Sequence, residues 1–142
     1  MPPDVWAEIN QLHARFVWGI DSGLPELAAG QFIESGQLIV PSDVSSNAEL
    51  LVYEGRDAIR ARWEGRSAIS RHVFSNLWLE PIGTDSIRGK VLLTGYRNDS
   101  PTGAETTPLV ISDFEDRIVR DHDGQWRFAE RRGTIVFARH DP

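Results

Sequence analysis

The side chains able to move a proton or polarise an oxygen are spread along this sequence rather than gathered into one motif. Histidines stand at 13, 72, 122 and 140, too scattered to suggest metal-ligand spacing. His72 has the most informative surroundings. In the run Arg71–Glu80, His72, Phe74, Asn76 and Trp78 share one face of an extended strand, with Val73, Ser75, Leu77 and Leu79 on the other. Both faces carry apolar residues, so alternation alone leaves open which one lines a pocket. An imidazole titrates near pH 6.5, so a pocket histidine could give or take a proton at neutral pH. A buried histidine bonded to backbone and contributing only packing is the alternative.

Further along, Phe114, Asp116 and Ile118 share one strand face, with Glu115, Arg117 and Val119 opposite. Asp116 and Arg131 could pair across neighbouring strands through a charge-assisted, bidentate bond, and Arg131 is also a candidate ligand contact. Buried, such a pair reads as a polar brace rather than a base, because the arginine lowers the carboxylate pKa. Tyr96 is the natural oxyanion or carbonyl donor, with Tyr53 second, since a phenol donates a hydrogen bond without carrying charge. A tyrosine that merely caps the core is the competing reading. Five tryptophans stand at 6, 18, 63, 78 and 126. Trp18 and Trp63 fall on helices that could wall a pocket and would favour flat, apolar ligands, whereas Trp126 reads as core. Asp121-His122-Asp123 invites a metal reading, but its place against a hairpin turn favours turn chemistry. No glycine-rich phosphate loop, nucleophile elbow or serine triad is present.

The elements that must position these groups are legible in outline. Val5, Ile9, Leu12, Phe16 and Ile20 recur every three or four residues and predict an amphipathic helix. Asp4 is its N-cap candidate, and Asp21-Ser22-Gly23 ends it by C-cap and turn chemistry. Leu24–Gln31 reads as a short second helix with Pro25 in its first turn. Gln37–Val40 and Leu50–Tyr53 read as short strands separated by the turn formers of Pro41–Ala48. Arg56–Trp63 reads as a third helix. Arg71–Glu80, Ile87–Tyr96, Leu109–Asp121 and Gln125–Ala138 read as long strands, joined at Gly83–Asp85, at a mobile loop over Asn98–Thr107, and at the hairpin dipeptide Asp123-Gly124. Helices first, then long antiparallel strands, predict an α+β fold with helices on one face of a curved sheet and a pocket between them.

Composition narrows the classes of function. The 142 residues suit one domain with a sizeable core. With no cysteine, thiolate chemistry and disulfides are excluded. Twenty-one acidic against 15 basic residues give a net charge of −6, with no basic run, which disfavours nucleic acid as a partner. No apolar run approaches the ~20 residues of a membrane span, and the N-terminus MPPDVWAEIN has no signal-sequence pattern. Cytoplasmic location is the default expectation.

Four segments, in order, resemble a known family. ARFVWGIDSGLPELAAGQF, GRDAIRARWEG, RHVFSNLWLEP and SDFEDRIVRDHDGQWRFAERR are similar to the first-helix ending, third helix, RHxxxN strand and closing hairpin of the SnoaL-like branch of the nuclear transport factor 2-like superfamily. The resemblance implies a cone: a strongly bent antiparallel sheet and three helices from the first half of the chain, around a mostly apolar pocket. It implies no single reaction, since polyketide cyclases, ketosteroid isomerases and dehydratases share the fold. In the dehydratase-like members a helical aspartate and a strand histidine work as a pair. His72 falls on the strand histidine, and the likeness puts Asn76 beside it on the pocket side. The helical aspartate is expected one turn before Asp21, where this chain has Val17 and Trp18, and Asp21 itself reads as part of the helix-ending turn. Asp116 is then the substitute carboxylate for His72.

Two functions follow as expectations. The first is a cofactor-free lyase, isomerase or cyclase acting on a small apolar carbonyl or hydroxyl compound. His72 would be the acid/base, Tyr96 or Asn76 would polarise the oxygen, and Trp18, Trp63 and Phe74 would hold the ring. The second is a non-catalytic ligand-binding module, or one that pairs with a second copy through the outer rows of the last two strands, as the superfamily likeness implies.

Overall fold

A computed structural model of the chain describes residues 1–45, 48–98 and 109–139. The predicted first helix is α1 (Pro3–Asp21), whose face carries Ile9, Leu12, Phe16 and Ile20 into the core, with His13 and Val17 buried beside them. Its first turn differs from expectation: Pro2 occupies the N-cap position and Asp4 lies inside the helix. Proline is suited to the start of a helix because its missing N–H would have no partner there. The other end is a Schellman closure, with Leu24 N–H on the Gly19 carbonyl at 2.8 Å and Gly23 N–H on that of Ile20 at 3.3 Å. Gly23 takes φ +68°, the left-handed conformation this closure requires. The short α2 (Pro25–Ala29) then folds back against α1. That approach depends on Gly19, where an added Cβ would lie 2.6 Å from the backbone nitrogen of Ala28.

Six strands follow in one curved sheet of order β2-β1-β6-β5-β4-β3. They are β1 (Phe32–Pro41), β2 (Leu50–Glu54), β3 (Ile69–Gly83), β4 (Ser86–Asn98), β5 (Val110–Arg120) and β6 (Trp126–Ala138), with α3 (Gly55–Trp63) between β2 and β3. All neighbours are antiparallel except β1 and β6. The fold is therefore α+β, as the element order predicts. The first four strands extend past their expected bounds, most at β1, whose residues 32–36 had been assigned to no element, while β5 and β6 fall within theirs. The Gly83–Asp85 and Asp123-Gly124 connections fall as expected, with Gly124 at φ +84°. The Asn98–Thr107 loop lies, beyond Asn98, outside the described residues.

Phe32, Leu38, Val91, Phe114, Ile118 and Phe128 of the sheet join the buried residues of α1 in one core cluster, with Trp126 also buried. Phe114, Asp116 and Ile118 point inward and Glu115 and Arg117 outward, the alternation read from the sequence. In β3 the alternation breaks. Asn76 takes φ +59° within a bulge between the pairs Ser75–Leu92 and Trp78–Lys90, which inserts one residue and reverses the facing of all that follow. His72 and Phe74 therefore face inward with Leu77 and Leu79, while Asn76 and Trp78 are exposed. The expected four-residue row from His72 to Trp78 is corrected to its first two members. Among the described residues no helix is long and apolar enough to cross a membrane.

Candidate active site

The Schellman closure fixes where α1 stops, and it leaves Asp21 as the last helical residue, next to the start of β3. Its carboxylate is engaged three times there. Oδ1 lies 2.6 Å from His72 Nδ1 and accepts from Ser70 Oγ at 2.8 Å, while Oδ2 accepts from the His72 backbone N–H at 2.8 Å. The Asp21 side chain is only 3 % exposed and that of His72 18 %. Burial alone would raise the Asp21 pKa, but the hydrogen bonds and charge of His72, with the Ser70 bond, outweigh it and hold the carboxyl below its ordinary value. Asp21 is thus ionised at neutral pH, and an ionised carboxylate can only accept. The His72 tautomer with its proton on Nδ1 is therefore favoured, leaving the Nε2 lone pair free. Among the described residues Nε2 has no hydrogen-bond partner.

This pairing corrects the sequence reading. The carboxylate was expected at position 17 or 18, and Asp21 was assigned to turn chemistry. Asp21 does end the helix, but a side chain at a helix terminus is also free to reach a neighbouring strand. Asp116, the expected substitute, is bonded elsewhere.

The imidazole sits in the wall of a two-lobed cavity. The first lobe, about 270 Å³, is mostly apolar, with Phe16, Leu38, Val40, Leu93 and Ile135 among its walls. The second, about 380 Å³, shares Val44, Arg62, Trp63, His72, Arg97 and Val110 with the first and adds Arg66 and Tyr96. His72 is at their junction. Its cross-strand partner is Gly95, where a Cβ would stand 3.6 Å from His72 Cδ2 and 3.8 Å from Nε2. The absent side chain keeps that edge of the ring open.

The other predicted residues are placed as follows. Trp63 lines both lobes and meets Phe16 edge-on. Tyr96 borders only the second lobe and pairs with Arg71, on the strand face opposite Leu93 and Arg97. Tyr53 does not line the cavity, but its hydroxyl accepts from Arg62 Nη1 at 2.7 Å and so positions a residue that does. Trp18 is 56 % exposed, lies beneath the Arg71 guanidinium, and borders a separate groove between α1 and β3. Phe74 lines that groove too and stacks on His13. Asn76, turned outward by the bulge, reaches neither lobe.

Asp116 and Arg131 form the buried brace. Arg131 Nε donates to Asp116 Oδ1 at 2.8 Å, and both side chains are wholly inaccessible. Arg131 therefore cannot touch a ligand directly, as had been expected of it, because the rings of Phe16, Phe114 and Phe128 enclose its guanidinium within 4.8 Å. Burial drives the Asp116 carboxyl up to about 6 despite the arginine. The same burial lowers Arg131. His13, overlooked in the sequence although it falls on the buried stripe of α1, completes the cluster 3.8 Å from Asp116. Burial first, and the Arg131 charge second, push its pKa well below 6.5, so it is neutral. At the distal hairpin, Asp121 and Asp123 are held by Arg127 at 2.9 and 2.7 Å, which is turn bracing. Among the described residues no three His, Cys, Asp or Glu side chains converge as metal ligands do.

The same architecture recurs among solved structures. A protein of unknown function from Mycobacterium tuberculosis superposes with a TM-score of 0.75 at 28 % identity, covering 91 % of this chain and 74 % of its own. A nuclear transport factor 2-like protein with a cystatin-like fold from Novosphingobium aromaticivorans gives 0.75 at 20 %, covering 92 % and 80 %. A protein from Catenulispora acidiphila, solved in complex with S-DNPA, gives 0.72 at 23 %, covering 94 % and 95 %. No curated protein matches the sequence. The family model of the SnoaL-like domain matches residues 5–132. The chain belongs to the SnoaL-like family, with the cone-shaped fold of the nuclear transport factor 2-like superfamily.

Proposed function

We propose that the protein is a proton-transfer enzyme, a lyase, isomerase or cyclase, acting on a small, largely apolar carbonyl or hydroxyl compound. The observation that carries this is the 2.6 Å contact between Asp21 Oδ1 and His72 Nδ1 in the wall of an open cavity. A carboxylate behind an imidazole fixes its tautomer and stabilises the imidazolium formed when Nε2 takes a proton. His72 is then the acid/base and Asp21 its positioning partner. The apolar first lobe, closed by Phe16 and Trp63, holds the hydrocarbon part of the substrate. The Catenulispora neighbour, caught with S-DNPA, supports ligand binding in this fold.

The test is a panel of cyclic ketones and β-hydroxyketones, followed by mass spectrometry for loss of water and by absorbance for double-bond migration. A substrate turned over by the native protein should lose about 10²-fold or more of its rate in His72→Ala. Turnover that is indifferent to this substitution overturns the assignment.

A second reading has its own observation. Val73, Trp78, Val136 and Phe137 are large apolar side chains left exposed on the strands, as a surface that pairs with a second copy would be. We propose a homodimer through the sheet, in which Trp78→Glu shifts the mass measured by light scattering from two chains to one. An unchanged mass excludes that surface.

A further inference from the structure

The proposed reaction gives roles to Asp21 and His72 and none to Ser70, whose hydroxyl is bonded into the same pair. Residues two apart on a strand face the same way, so Ser70 and His72 both turn toward the end of α1 while Arg71 is exposed. Ser70 is only 3 % exposed and borders neither lobe, so it acts through another residue or not at all. Its partner is the oxygen that the imidazole uses. Asp21 Oδ1 accepts from Ser70 Oγ at 2.8 Å and meets His72 Nδ1 at 2.6 Å. A carboxylate oxygen offers two lone-pair positions, and both are taken. The hydroxyl proton has one direction. Asp21 is ionised and can only accept, while Arg66 Nη1, 3.3 Å from Ser70 Oγ, can only donate. Ser70 therefore accepts from Arg66 and donates to Asp21.

We infer that Ser70 is a positioning residue for the proton transfer: its hydroxyl competes with the imidazole for Asp21 Oδ1 and so keeps the dyad able to accept a proton to lower pH than the carboxylate alone would allow. This rests on reading His72 as the acid/base. With the serine in place, Oδ1 divides its charge between two donors. With the serine gone, all of it falls on Nδ1, and the imidazolium is held more tightly. A base already protonated at the working pH accepts nothing from substrate. The hydroxyl thus tempers the carboxylate that activates His72. The same bond helps hold the Asp21 carboxyl below its ordinary value, after the larger contribution of His72 and against the effect of burial. The signal in the sequence is the pair of polar residues flanking Arg71 at the start of β3.

The measurement is the pH profile of C2 proton exchange in alpha-tetralone, in D₂O, for native protein, Ser70→Ala and Ser70→Thr. In Ser70→Ala the acid limb should move up by about 0.5–1 pH unit, as a macroscopic property of the coupled pair. Ser70→Thr keeps the hydroxyl and should restore the native limb. Asp43, Arg62, Arg66, Arg71, Tyr96 and Arg97 also border the cavities that His72 lines, and they are the same in every variant. Carbon-13 titration of the Asp21 carboxyl should rise toward the ordinary value in Ser70→Ala and not in Ser70→Thr. Ser70→Cys, similar in size with a weaker donor, should move the limb the same way by less, and it serves if Ser70→Ala does not fold. A serine that only packs would lower the rate and leave the limb where it is. Exchange with an unmoved limb in Ser70→Ala, or in Ser70→Cys in its place, overturns this inference and leaves the dyad standing. A limb displaced as far in Ser70→Thr as in Ser70→Ala overturns it too. If the native protein catalyses no exchange, both readings fall.

Discussion

Replacing Asp21 by Asn separates the chemistry of the dyad from its architecture. The amide is almost isosteric, and its oxygen can still accept the His72 backbone N–H that Oδ2 accepts at 2.8 Å. At the Oδ1 position the NH₂ group would face His72 Nδ1, 2.6 Å away in the native protein, and Ser70 Oγ. Two donors cannot meet, so the imidazole must move its proton to Nε2 and accept at Nδ1. All three bonds survive but lose their charge assistance, a difference on the order of 1 kcal/mol each at most. The net cost in stability should therefore be about 1–3 kcal/mol. The sign with pH follows from the lowered Asp21 pKa. Its contribution is present above the unfolded value of about 3.9 and is lost as pH falls through the lower folded value. Urea denaturation should show the native-to-variant gap at pH 7 closing below about pH 4. Nitrogen-15 spectra should show His72 protonated on Nδ1 in the native protein and on Nε2 in Asp21→Asn. The same tautomer in both proteins, or a stability gap independent of pH, would refute the reasoning.

Other outcomes follow from the buried cluster and the glycines. Asp116→Ala leaves the Arg131 guanidinium buried without its carboxylate and should cost about 3–5 kcal/mol in urea denaturation, whereas Asp116→Leu with Arg131→Met should recover most of that. A double variant no more stable than the single one contradicts the brace. His13, held neutral by burial, binds a proton when unfolded but not when folded, so its contribution to stability falls as pH drops below about 6.5. Asp116, raised to about 6, acts oppositely and is stabilising toward low pH. In His13→Gln, stability measured between about pH 5 and 6.5 should rise less steeply with pH than in the native protein, by up to about 1.4 kcal/mol per pH unit. Gly133→Ala would put a Cβ 2.7 Å from the Phe114 ring in the cavity wall. It should lower stability by about 1–3 kcal/mol, read as a drop in melting temperature.

The fold was legible because its signals are local and repeated. The stripe from Val5 to Ile20, the turn at Asp123-Gly124 and the alternation around Asp116 each follow from side-chain periodicity or backbone preference, and the structure keeps them. The site was less legible because it depends on where elements meet. The 51-residue separation of Asp21 and His72 carries no periodic signal, and an aspartate before Ser-Gly looks the same whether or not a strand lies against it. Asn76 misled for a related reason. Period-two alternation assumes an unbroken ladder, and one residue in the left-handed region reversed Trp78 from inside to outside. Nothing in the spacing between α3 and β4 shows that Arg62 and Arg97 border one cavity. His13 did have a signal: it lies on the buried face of α1, where a polar residue requires a partner.

The most direct test of the dyad is proton exchange at carbon. Alpha-tetralone, incubated in D₂O with the native protein, His72→Ala and Asp21→Asn, can be followed by the loss of its C2 proton signal. Exchange above the buffer rate is expected with the native protein, and about 10²-fold less in either variant. Exchange catalysed equally by all three would place the base elsewhere and contradict the account.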